Sequence, residues 1–201
     1  MFINIADIRP KKGVLNCYLW ENEQIDLPLS LYYSFNIPLE IKCQPLDTSI
    51  ITSIVIEWAI LIDSYESQQE KNWKQLVNRN FELNYNDESA EGSIYLESEH
   101  CPLNAEIRFI NLNKYTFDIE LTIAANFNID VNGLDKNGCF SIKTQLDFDG
   151  LHIYPSQLPS YQSAIDPMAI IGNYIDLKEY VSEIIQYEDH NIDSLHLKPK
   201  A

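Results

Sequence analysis

The chain has 201 residues, 45% of them hydrophobic, and a formal charge of −16 from 30 acidic and 14 basic side chains. That length and apolar content suit one globular domain and exclude a disordered or low-complexity chain. The charge repels phosphate backbones and anionic lipid, so nucleic-acid or membrane binding is not expected, and a basic partner or a cation is the natural complement.

No stretch approaches the roughly 18 consecutive apolar residues of a membrane helix. Residues 1–7 lack a basic n-region and an apolar h-region, so no secretory signal is expected and a cytoplasmic location is. Cys17, Cys43, Cys101 and Cys139 form no Cys-x-x-Cys pair. In a reducing compartment they read as small core residues.

In chain order, residues 2–20 read as a hairpin turning at Arg9-Pro10-Lys11-Lys12-Gly13. From Ile25 to Cys43 every odd position is apolar, with Pro28 and Pro38 on the even side. Proline cannot donate to a ladder, so two strands are expected, 25–35 and 39–43, at an edge or interrupted near Pro38. Residues 49–63 are apolar on both parities and rich in β-branched side chains, the composition of a central strand. Trp73, Leu76 and Val77 have the spacing of a short helix over a sheet edge. Residues 81–85, 93–97 and 105–112 alternate as further strands.

The clearest alternation is at 116–131. Phe117, Ile119, Leu121, Ile123, Ala125, Phe127, Ile129 and Val131 are apolar, while Asp118, Glu120 and Thr122 take even positions. Period two buries one face only as a strand, which at about 3.3 Å per residue spans roughly 50 Å and must coil strongly or be shared between two sheets. The Asn132-Gly133 and Asn137-Gly138 pairs then turn the chain into an antiparallel return strand at 140–148. The apolar parity flips at Leu151 and Ile153, which marks Asp149-Gly150 as a β-bulge.

Farther on, residues 166–172 read as a one- or two-turn helix, and 176–187 as an amphipathic helix with an Asp176/Glu179 capping box and an apolar stripe through Leu177, Tyr180, Val181, Ile184 and Ile185. Residues 188–201 are a polar tail expected to fray, which argues against a role for His190 and His196. The expected fold is a mostly antiparallel β-sandwich of 8–10 strands. The domain occupies residues 1–187 and includes the C-terminal helix.

For function, the hairpin is expected to bring Thr122 opposite Asp147 and Glu120 opposite Asp149, with Asp118 next along the face. Four carboxylates would then share one patch that folding does not require. Asp118, Glu120, Asp147 and Asp149 are therefore the candidate partner-binding residues. Tyr32, on the outward parity between Ser30 and Ser34, is the candidate aromatic contact.

Asp147-x-Asp149 resembles the Asp-x-Asp of metal-dependent glycosyltransferases, but the α/β nucleotide-binding pattern is missing. The loop at 130–138 lacks the ligand set and closing glutamate of a calcium loop. No P-loop, dinucleotide fingerprint or nucleophile elbow is present, and the histidines lack metal-ligand spacing. No catalysis, cofactor or metal is expected. As a small, acidic, motif-free domain the chain resembles the immunity proteins that bacteria pair with toxins. That resemblance implies an inhibitor that binds a basic toxin directly. The alternative is a non-catalytic carbohydrate- or ligand-binding module.

Overall fold

The structure, a computed structural model, describes residues 2–22, 27–43, 48–60, 71–84, 90–96, 99–125, 130–135, 138–153, 167–186 and 193–200. The proline-punctuated segment around Pro155 and Pro159, the cap at Asp166, the middle of the 130–138 loop and His190 lie outside them. The fold is mostly β. Its strands are β1 (Phe2–Asn4), β2 (Ile8–Pro10), β3 (Gly13–Asn22), β4 (Leu27–Cys43), β5 (Thr48–Ile60), β6 (Asn80–Leu83) and β7 (Ala90–Leu96). They continue with β8 (Glu99–Asn113), β9 (Thr116–Ala125), β10 (Asp130–Asn132), β11 (Cys139–Ile153), β12 (Tyr180–Gln186) and β13 (Asp193–Pro199), and among the described residues a short α-helix, α1 (Pro167–Ile171), precedes β12. No helix among the described residues is long and apolar enough to cross a membrane.

Seven strands close a ring in the order β3-β4-β5-β7-β8-β9-β11, and β11 returns to β3 as the parallel pair in an otherwise antiparallel barrel. The expected sandwich is therefore corrected to a barrel. Both architectures bury one face of each strand, so alternation alone does not separate them. Closure depends on β3 lying beside β11, a pairing between distant segments that no local pattern encodes.

Inside the ring, alternation has the predicted consequence. Phe117, Ile119, Leu121 and Ile123 of β9 point inward, and Tyr33, Phe35, Ile56, Ile107, Phe109 and Phe148 join them at 2% exposure or less. A barrel of this strand number has room for side chains and little else. The 3-10 turn at Trp73–Leu76 adds to this core, with Trp73 stacked 4.7 Å from Phe148 and edge-on to Phe117 at 5.9 Å.

Several segments differ from expectation for identifiable reasons. Residues 2–20 form no hairpin: β2 and β3 both pair with β4, end to end along one edge of it. β4 runs unbroken through Pro38 because β3 pairs only as far as Asn36 and β2 begins at Leu39. Pro38 needs no amide there, since its carbonyl accepts from the Lys11 amide where the chain crosses from β2 to β3. The long strand predicted at 116–131 is divided, with β9 in the barrel and β10 turned aside to pair with β1.

The predicted helix at 176–187 is a 3-10 turn at Leu177–Glu179 followed by β12. Asp176 does cap that turn, accepting from the Lys178 amide. The β-branched run Val181, Ile184, Ile185 then extends to pair with β13. Nor does the described part of the polar tail, 193–200, fray, since β13 pairs with β12 along its length and with β11 at three positions.

The bulge occurs as predicted. Asp149 is the extra residue between Phe148, opposite Leu15, and Gly150, opposite Asn16. Gly150 has a φ of +111°, available to glycine at little cost.

Candidate functional site

The outer surface of β6, β8, β9 and β11 carries most of the predicted residues, but their neighbours differ from those expected. Thr122 pairs with Ser141, six positions short of Asp147, because β9 ends at Ala125 and β11 begins at Cys139, which centres the pairing earlier in the chain than expected. Glu120 consequently faces Lys143, its carboxylate 3.4 Å from the ammonium, with Arg108 opposite on its other side. Asp118 accepts from Gln145 at 2.8 Å and from Asn111 at 3.4 Å. Asp147 pairs with Lys12 at 2.6 Å and accepts from the Thr116 hydroxyl. Partial burial pushes the Asp147 carboxyl up, but the bonds from Lys12 and Thr116 outweigh it and hold the group below the ordinary carboxylate range. The carboxylates of Asp118, Glu120 and Asp147 therefore each have their own partners and do not form the single shared patch that was expected.

A further acidic concentration sits one strand away, on the face that also carries Arg108. Glu82 of β6 lies directly opposite Glu106 of β8, and both are exposed. Asn80 donates to Glu106 at 2.7 Å. Like charges directly opposed across a ladder are unfavourable, so this pair is not there to stabilise the sheet. On the neighbouring strands, Glu57 and Glu91 also occupy opposed register positions. Sequence reasoning missed Glu82 and Glu106 because alternation gives each strand its faces without telling that β6 pairs with β8.

Tyr32 is not an exposed contact. It is 4% exposed, stacked on Tyr18 at 5.3 Å and 13° and edge-on to Trp20 at 5.5 Å. It does face outward, as its parity requires, but β3 aligns Tyr18 directly opposite it, and the rings bury one another.

Asp149 belongs to a different constellation. In a regular strand, residues 149 and 152 would face opposite sides of the sheet. The extra residue at the bulge turns both outward, and β13 places His196 directly opposite His152. The imidazoles stack with centroids 4.0 Å apart and planes 21° from parallel. His152 Nε2 lies 2.9 Å from Asp149 Oδ2, and His196 Nε2 lies 3.6 Å from that oxygen and 2.7 Å from the Asp149 carbonyl. Asp149 is exposed, His152 half-buried and His196 buried, so one side of the cluster is dry and the other open. His196 was dismissed because residues 188–201 read as a tail. The signal that could have found the cluster was the bulge itself.

Elsewhere, one potential nucleophile is suppressed by burial. Cys17 is fully buried beside Tyr180, its thiol 3.5 Å from the Gly150 carbonyl. Burial pushes that thiol well up, more than the hydrogen bond with Tyr180 lowers it, so it stays protonated and unreactive. Comparisons with protein families, with curated proteins and with solved structures return no match.

Proposed function

We propose that the chain is a non-catalytic binding protein whose acidic outer face docks a basic protein, an inhibitor in the manner of an immunity protein that covers a toxin. The observation carrying this reading is the Glu82–Glu106 opposition, a like-charge pair held on regular strands at the fold's expense. Asp118, Glu120 and Asp147 continue the face, and Asp149 stands apart with its histidines. A lumen lined by packed apolar rings favours action at the surface over chemistry within the barrel. The overall charge of −16 would draw a cationic partner in from a distance, giving fast association that salt slows. Tyr32, a candidate contact for a protein partner or a carbohydrate alike, is covered and supports neither reading.

The test is affinity capture from a lysate of the protein's own cells at low and at high salt, followed by the same capture with Glu82→Gln/Glu106→Gln. A basic protein retained at low salt, released by salt and lost with the double variant supports the reading. Capture that the double variant leaves unchanged removes the face.

A further inference from the structure

We propose that Asp149, His152 and His196 form a binding site for a divalent transition-metal ion of the zinc type, which staples the C-terminal β12–β13 hairpin to the barrel. The inference is independent of the partner-binding face.

The donor set is a carboxylate and two imidazoles, which suits zinc and its neighbours in the first transition row and not calcium or magnesium. The spacing fits as well. A tetrahedral ion with ligand bonds of about 2.0–2.1 Å holds its donors roughly 3.3–3.4 Å apart. The two Nε2 atoms lie 2.9 and 3.6 Å from one carboxylate oxygen, and the three donors fall within 4.8 Å of one another. Both Nε2 atoms approach the same oxygen, so the stacked rings present their donors on one side. Turning the rings about χ2, a soft torsion in histidine, converges the lone pairs. The tautomer must carry its proton on Nδ1, which means His196 gives up its bond to the Asp149 carbonyl in exchange for the ion.

Position in the fold supplies the reason for such a site. Among the described residues β13 joins β11 at three register pairs, with His152 and His196 the middle one. Yet the hairpin carries Tyr180 and Leu197 into the core, at 4% and 1% exposure. An ion shared by β11 and β13 would hold this short junction closed. Three protein ligands leave a fourth position on the exposed Asp149 side for water. The anionic surface raises the local concentration of cations.

The experiment uses the full chain freed of metal by a chelator and titrated with Zn2+ alone by calorimetry, with Co2+ absorption as a geometric readout and thermal unfolding as a stability readout. The expected result is one ion per chain, a tetrahedral Co2+ spectrum and a Zn2+-dependent rise in Tm. Asp149→Asn and His152→Gln should each weaken binding by more than the roughly 10–100-fold that losing an outer partner of a metal site costs. A His100→Gln/His190→Gln variant, which alters the other two histidines, should bind as the parent does. Asp149 is exposed, so its variant keeps the test valid even if His152→Gln fails to fold. Absence of Zn2+ binding by the parent chain overturns the proposal. So does binding that Asp149→Asn leaves unchanged, or binding lost only when His100 and His190 are replaced.

Discussion

Gly150 and Leu197 meet backbone to backbone: a Cβ on Gly150 would lie 2.1 Å from the Leu197 carbonyl oxygen. The bulge thus does two things at once, shifting the phase of β11 and clearing the space in which β13 docks. Gly150→Ala combines strain at a φ of +111° with this overlap. It should cost about 3 kcal/mol or more. Denaturant unfolding measures the loss, and hydrogen exchange should locate it in β12 and β13. A variant within about 0.5 kcal/mol of the parent would contradict this role for the glycine.

Trp73 joins the turn at 73–76 to the barrel core through Phe148 and Phe117. Its side chain is fully buried, so Trp73→Ala should cost about 3–5 kcal/mol, the usual penalty for removing a large aromatic from a packed core. Equilibrium unfolding checks the magnitude. Near-ultraviolet dichroism should show the loss of the stacked indole.

Glu40 has a pH-dependent role of definite sign. Its carboxylate lies 2.6 Å from the Lys11 ammonium, and the hydrogen bond and charge of Lys11 hold the Glu40 carboxyl below its ordinary value. A carboxyl lowered by folding contributes stability above its unfolded pKa and loses it as pH falls through the folded one. The stability difference between the parent and Glu40→Gln should therefore be constant near neutrality and shrink on acidification below the normal glutamate range. Added salt should reduce it, because the pair is exposed. A difference that grew on acidification would contradict the assignment.

Much of the architecture was legible because period-two alternation is dictated by burying one face of a strand. β5, β9, β11, the bulge at Asp149-Gly150 and the short helix at Pro167–Ile171 all appear where local pattern placed them. What was not legible depends on long-range pairing. The parallel β3–β11 closure makes a barrel from strands that would equally suit a sandwich. The run at 180–186 has an apolar stripe that fits helix or strand, and β13 decides for strand by pairing with it. At the candidate face, parity placed Asp118 and Glu120 on the outer side of β9, but the six-position change in hairpin register gave Glu120 a lysine in place of an aspartate. Parity also told which way Tyr32 points without telling that Tyr18 and Trp20 cover it.

The most direct test of the binding face compares fold stability with partner association in Glu82→Gln/Glu106→Gln. Removing an opposed like-charge pair should leave the barrel as stable or more stable, by about 0.2–1 kcal/mol. Association with the captured basic protein should slow by about tenfold at low salt and depend less on salt. A variant that gains stability and loses association speed is the predicted result. Association unchanged in rate and salt dependence would contradict the account.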